Sequence, residues 1–122
     1  MAKTAIIIGA TGLTGGLLLQ GLLEDNRYQK IKLFSRNTCN IRHPKIEEHL
    51  IDLFELEKQQ HLFIADEVFC CIGTTKAKTP NEEQYLKIDY AIPATLAKLC
   101  SKMGIPTFLV ISALGANKKS KI

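Results

Sequence analysis

The chain has 122 residues, 46% hydrophobic and 23% charged, with a formal net charge of +4 at pH 7. That length makes one domain able to bury its own core, and the composition excludes a disordered chain. Three lysines of the basic excess, Lys118, Lys119 and Lys121, lie in the last five residues, and setting them aside leaves +1, so no basic face for nucleic acid is expected.

Thr4–Ile8 is a continuous apolar run rich in β-branched residues, the pattern of a central parallel strand buried on both faces. Gly9, Thr11 and Gly12 interrupt it too soon for a secretory leader, and no apolar run nears the roughly 18 residues of a membrane span. A cytoplasmic protein without a membrane segment is expected. After the glycines, Leu13, Leu17, Leu18, Gln20, Leu22 and Leu23 read as a helix, apolar around much of its circumference and therefore well buried, ended by the polar stretch Glu24–Arg27. Ile31–Ser35 alternates like a strand, and a polar loop follows from Arg36 to Pro44. Ile46–Asp52 is a weaker strand pattern, and Leu53–Phe63 is spaced like a helix. Asp66–Ile72 is a buried strand closed by Gly73, Thr74 and Thr75.

Pro80–Met103 reads as a long helix, with Tyr85, Ile88, Ile92, Leu96, Leu99 and Met103 along one face. Pro93 removes the hydrogen bond to the Asp89 carbonyl and is expected to kink or divide it, and Gly104 is a natural C-cap. Thr107–Ser112 is a final apolar strand before the lysine-rich tail. The order is β-α-β-β-α-β-α-β over one domain, residues 1–122. It predicts an α/β doubly wound parallel sheet, the Rossmann fold, with strands in the order 3-2-1-4-5 and right-handed crossovers.

Gly9-x-x-Gly12-x-x-Gly15 falls between the first strand and the first helix. Gly9 permits the tight turn, Gly12 lets backbone approach a pyrophosphate, and Gly15 lets the helix pack on the sheet. The anion would sit on the helix N-terminus, where free N–H groups and the macrodipole favour it. The candidate contacts of this turn are Gly9, Thr11, Gly12, Leu13, Thr14 and Gly15. At the end of the second strand a fold of this kind reads the adenosine ribose, and an acidic residue there would take the 2′-hydroxyl of NAD. This chain has Ser35-Arg36-Asn37. A guanidinium clamps a 2′-phosphate and a serine hydroxyl adds a hydrogen bond, so NADP(H) is preferred over NAD(H); the alternative is a solvated loop charge at Arg36.

Asp52-Leu53 follows the third strand, where the carboxylate either meets the adenine amino group or caps the next helix. Cys71-Ile72-Gly73-Thr74-Thr75 leaves the fourth strand beside the topological switch point, where small residues let ribose and pyrophosphate lie against backbone; an ordinary strand-ending turn is the alternative. Ser112 ends the last strand facing the same crevice. Cys39, Cys70, Cys71 and Cys100 form no CxxC pair, Cys70 and Cys71 point to opposite strand faces, and His43, His49 and His61 are scattered. Reduced thiols and no metal site are expected.

The segments GATGLTGGLLLQGLL, FSRN, VFCCIGTTKAKT, QYLKIDYAIPATLAKLC and VISALGANKKSKI cover nearly the whole chain. Through them it resembles the atypical short-chain dehydrogenase/reductases, in the epimerase/dehydratase-related branch of the Tat-interacting oxidoreductase-like proteins. The resemblance implies NADP(H) binding by Gly9, Thr11, Gly12, Leu13, Gly15, Arg36 and Gly73–Thr75. It also makes Ser112 the counterpart of the serine that polarises a substrate carbonyl or hydroxyl.

In that family a tyrosine and a lysine four residues later complete the site, and they should follow LGANKKSKI, where this chain ends at Ile122. Tyr85 and Tyr90 lie upstream in the wrong segment, and Tyr28 reads as a loop residue. The chain is therefore expected to be the N-terminal part of a protein about twice its size, lacking the sixth strand and substrate portion. The bare edge of Thr107–Ser112 would then invite self-association. The expected activity is hydride transfer to or from a small carbonyl or alcohol in the whole protein, of unidentified substrate. The alternatives are a non-catalytic NADP(H)-sensing regulator or scaffold and, more remotely, a nucleotide-sugar epimerase-like enzyme.

Overall fold

Ala5, Ile6, Ile7 and Ile8 are fully shielded from solvent, and they alternate between two separate cores. Ala5 and Ile7 pack with Leu19, Leu22, Ile31, Leu33 and Phe69 on one face of the sheet. Ile6 and Ile8 pack with Phe34, Leu56, Phe63, Val68 and Leu96 on the other. A run with no polar side is thus explained by a strand with no solvent side.

The computed structural model describes residues 2–10, 12–71 and 92–111. Its elements are β1 (Lys3–Ile8), α1 (Leu13–Leu23), β2 (Tyr28–Ser35), β3 (Ile46–Leu50), a 3-10 segment (Leu53–Leu62), β4 (Glu67–Cys70), α2 (Ile92–Met103) and β5 (Thr107–Val110). The five strands are parallel in the order β3-β2-β1-β4-β5, as the alternation of elements predicts. Leu19 and Leu22 of α1 cover one face of the sheet, and Leu56 of the 3-10 segment with Ile92, Leu96, Leu99 and Cys100 of α2 cover the other.

Several local expectations are corrected. Tyr28 is not a loop residue: it opens β2 three residues early, because its ring is buried and it pairs with Lys3 of β1. Leu53–Leu62 is a run of 3-10 turns broken at Glu55 and Gln59 rather than a continuous α-helix. α1 is not apolar-buried all round, since Leu17 stands 64% exposed on its outer side. Gly104 does terminate α2, in the left-handed conformation (φ 71), with Gly104 N–H donating to the Ser101 carbonyl and Ile105 N–H to that of Cys100. That pair of bonds is the Schellman motif. Pro93 is the second residue of the described helix, and the helical stretch expected over 80–91 lies outside the described residues.

Candidate functional site

The strand registers set Ile8 of β1 level with Phe34 of β2 and Cys70 of β4, and Cys70 level with Val110 of β5. Their carboxyl ends therefore form one rim. β1 is followed by α1 on one face, while β4 is followed by α2 on the other, so the crevice between β1 and β4 is the topological switch point. Cys71 N–H donates to the Ile8 carbonyl at 2.8 Å and closes the gap just below it.

Gly9 leaves β1 with φ 91, a conformation that side chains rarely adopt. Gly12 N–H returns to the Gly9 carbonyl at 3.2 Å, and Gly16 N–H donates to the Gly12 carbonyl at 2.8 Å, which starts α1. A Cβ on Gly15 would collide with the Gly9 carbonyl, so this glycine is required by the chain's own packing. Gly12 is different: a Cβ there would meet the chain no closer than 3.7 Å, and the residue is exposed. No side chain caps Gly12, and the first turn of α1 holds no acidic residue. An uncapped, uncontested positive helix end beside an exposed glycine fits a diphosphate. Thr14 is half-buried in that turn, whereas Thr11 and the side chain of Leu13 lie outside the described residues.

One strand over, Ser35 is buried and its hydroxyl donates to the Asn37 carbonyl at 2.7 Å. The expected hydroxyl donor for a ligand is thus engaged within its own loop. Arg36 is exposed and forms no ion pair with any described residue. Beyond it, Thr38 and the Cys39 amide both donate to Glu48 of β3, a residue that sequence reasoning missed. Its only signal is a carboxylate within a strand, where an apolar or neutral residue is usual.

Asp52 caps the 3-10 segment: its Oδ1 accepts from Phe54 N–H at 2.9 Å and its carbonyl from Glu55 N–H. Of the two readings left open for this carboxylate, capping is the one the fold displays. Leu53 is half-buried against the core beneath it. Cys71 is half-buried on the α1 face while Cys70 lies in the opposite core, as the alternation predicts. Burial, with a smaller push from Cys70, raises the Cys71 thiol to about 11. Gly73, Thr74, Thr75 and Ser112 lie outside the described residues. Glycine turn, Arg36, Asp52 and Cys71 thus follow the carboxyl ends of four parallel strands.

Tyr28 and Lys32 have the Tyr-x-x-x-Lys spacing but not the geometry. A bulge between β1 and β2 intervenes; the Tyr28 ring lies on the α1 face, and Lys32 Nζ donates to the Leu62 carbonyl on the other. Tyr28 sits at the amino edge of the sheet, opposite the glycine turn, with its hydroxyl on Glu67. An open groove of about 600 Å³ between the 3-10 segment and α2, walled by Glu57, Gln60, Lys98 and Lys102, is also separate from that rim. Among the described residues no cluster of His, Cys, Asp and Glu could hold a metal ion, and no helix is long and apolar enough to cross a membrane.

Comparison with known proteins agrees with this geometry. Protein FMP52, mitochondrial, of Debaryomyces hansenii is 33% identical over 98% of this chain and 54% of its own length. Protein HTATIP2 of Rattus norvegicus is 29% identical over 97% of this chain and 50% of its own. The chain thus spans about half the length of the curated relatives it matches. Among solved structures, a uronate dehydrogenase mutant of Agrobacterium tumefaciens complexed with NAD superposes with a TM-score of 0.76 over 92% of this chain and 41% of its own, at 18% identity. A UDP-N-acetylglucosamine 4-epimerase of Methanobrevibacter ruminantium gives 0.71 over 88% and 36%, also at 18% identity. At such identities these two structures speak for the fold alone. The family model for the NAD dependent epimerase/dehydratase family matches residues 5–119, and the chain belongs to that family.

Proposed function

We propose that this chain binds NADP(H) and is the cofactor half of an oxidoreductase that moves hydride to or from a small carbonyl or alcohol. The observation that carries the reading is the uncapped Gly12 end of α1, free of acidic residues, with exposed Arg36 one strand away where an acidic residue would take an NAD ribose. Gly9, Gly12 and Gly15 with Thr11, Leu13 and Thr14 would hold the diphosphate. Arg36 would take the 2′-phosphate, and Cys71 with Gly73, Thr74 and Thr75 would lie along the ribose side. Ser35 acts in this reading through the loop it ties, and Asp52 and Leu53 shape the adenine end. The nicotinamide ring supplies hydride exchange when the dinucleotide is bound, and Ser112 would hold the substrate's oxygen.

Calorimetric titration with NADPH and NADH tests the reading directly. We expect NADPH to bind more tightly and to raise the melting temperature. Arg36→Ala should weaken NADPH by about 1.5–3 kcal/mol, a charge-assisted hydrogen bond's worth, and leave NADH nearly unchanged. Neither heat nor thermal shift from either nucleotide in folded protein would overturn it.

The family match favours a second reading, an NAD-dependent epimerase or dehydratase acting on a nucleotide sugar. In that case Arg36→Ala changes NADH and NADPH binding alike. A non-catalytic NADP(H) sensor would bind but turn over nothing across a carbonyl panel. We further propose that copies of this chain associate through the edge of β5, Thr107–Val110, where Leu109 and Val110 are 48% and 43% exposed. Four cysteines, none of them in a disulfide, suit a reducing compartment, which we take to be the cytoplasm; fractionation of cells bearing a tagged copy checks this against the mitochondrial names of its relatives.

A further inference from the structure

We propose that Glu48 is a positioning residue for dinucleotide selectivity: its two carboxylate oxygens fix the loop that presents Arg36. The inference rests on the NADP(H) reading above and adds to it a residue from another strand.

The loop leaves β2 at Ser35 and is held on both sides of Arg36. Before it, the Ser35 carbonyl accepts from Ile51 N–H at 2.9 Å, and the Ser35 hydroxyl reaches over Arg36 to the Asn37 carbonyl. After it, Glu48 Oε1 accepts from the Thr38 hydroxyl at 2.8 Å and Oε2 from Cys39 N–H at 2.9 Å. Thr38 Oγ1 in turn accepts from Asn40 N–H at 3.1 Å, and Asn40 adopts the left-handed φ of 59 immediately beyond the anchor. Glu48 stands opposite Leu33 in the parallel register of β2 and β3, which places its carboxylate beside this turn.

The charge arrangement supports the same role. Neutral donors satisfy Glu48, and it forms no ion pair with Arg36, so the guanidinium is not neutralised by the group that positions its backbone. Burial pulls the Glu48 carboxyl upward, but the donors from Cys39 and Thr38 outweigh it and hold the group below the usual glutamate range, hence ionised at neutral pH. A loop ordered before the ligand arrives spares the entropy of ordering it on binding, and a displaced guanidinium loses its bidentate geometry.

The test is calorimetric titration of the chain with NADPH and with NADH, with thermal melts confirming that each variant is folded. Glu48→Ala should weaken NADPH about tenfold, equivalent to about 1.4 kcal/mol, and NADH by less than about twofold. Glu48→Gln, which keeps one acceptor oxygen but turns an amide toward the other donor, should fall between Glu48→Ala and the parent. Thr38→Val removes one of the two donors, and if Glu48→Ala fails to fold it carries the test with a selective loss of about threefold, roughly half the alanine effect in free energy. In an Arg36→Ala background, Glu48→Ala should cause no further loss of NADPH, because nothing remains to position. Equal losses for both nucleotides, or an additive double variant, would overturn the positioning role while leaving Arg36 as the phosphate reader. An Arg36→Ala variant with an unchanged NADPH-to-NADH ratio would instead overturn the NADP(H) reading and this inference together.

Discussion

Gly15 lies so close to the Gly9 carbonyl that a methyl group on it would stand 2.1 Å from that oxygen and 2.9 Å from Ala10 Cα. Both obstacles are backbone, so neither can swing aside. Gly12, three residues earlier, has an ordinary φ of −82 and no backbone within 3.7 Å of an added Cβ. The fold therefore requires Gly15 but not Gly12, whose lack of a side chain matters only to the proposed diphosphate contact. Gly15→Ala should destabilise the chain by about 1–3 kcal/mol or more, the overpacking penalty against a rigid neighbour. Gly12→Ala should change stability by less than about 1 kcal/mol yet weaken NADPH at least tenfold, since its methyl would stand where the diphosphate approaches. Denaturant melts beside nucleotide titrations separate the pair, and Gly12→Ala binding as the parent does would show that the ligand lies elsewhere.

At the opposite edge of the sheet Tyr28 of β2 donates to Glu67 of β4 while Lys3 of β1 bonds the other carboxylate oxygen at 3.0 Å, tying three strands at their amino ends. Burial, then the Glu67 hydrogen bond and charge, raise the Tyr28 phenol to about 12. A folded-state value above the unfolded one, about 10, means the neutral phenol is favoured by folding. Its stabilisation is complete below pH 10 and should be lost as the pH rises from about 10 to about 12. Tyr28→Phe should cost about 1–2 kcal/mol at pH 8 and flatten the decline above pH 10, read by urea unfolding at a series of pH values. An unchanged alkaline profile would mean that the phenol titrates as it does in the unfolded chain.

Cys71 stands on the rim beside Gly9 and could be mistaken for a nucleophile. With its thiol raised to about 11 by burial, the thiolate is on the order of one molecule in a few thousand at pH 7.5. Alkylation at pH 7.5 should therefore leave Cys71 and Cys100, raised to about 11 by the same cause, much slower than a free thiol of ordinary pKa. Rates should climb roughly tenfold per pH unit up to pH 10. Rapid labelling of Cys71 near neutrality, located by peptide mass mapping, is the contrary result.

What could be read from the residues was what depends on near neighbours along the chain. The apolar run Thr4–Ile8 and the glycines after it specify strand, turn and helix within twelve residues, and Gly104 marks the end of α2 by its conformational freedom alone. Illegible features arise between distant segments. Tyr28 reads as loop because only pairing with Lys3 and burial under α1 make it a strand residue. Leu17 looks like core, yet among the described residues α1 packs on one layer, and the consecutive Leu17, Leu18 and Leu19 cannot all face it. Ser35 carries the right atoms for a phosphate contact, but its loop uses its proton first. Glu48 was invisible because its partners, Thr38 and Cys39, are brought to it by the register of β2 on β3. The Tyr28–Lys32 spacing shows the opposite hazard, a motif match that the strand and its bulge pull onto opposite faces.

The two edges of the sheet are treated differently. β3 carries Glu47, Glu48 and His49, with Glu47 paired to both Lys30 and His49, and charges of this kind discourage another strand from docking. β5 reads Thr-Phe-Leu-Val with no charge in it, and leaves Leu109 and Val110 half exposed. Its inner edge pairs with β4, with Cys70 opposite Val110, and among the described residues no strand pairs with its outer edge. Copies of this chain should therefore associate at tens of micromolar, and Leu109→Lys or Val110→Lys should shift the population toward monomer without lowering the melting temperature. A lysine placed on β3, at the exposed Leu50, should leave the assembly unchanged. Size-exclusion chromatography with light scattering over a dilution series decides the matter: a clean monomer of the parent chain throughout that range would refute association through β5. Dispersal by Leu50→Lys in place of Leu109→Lys would move the interface to the other edge.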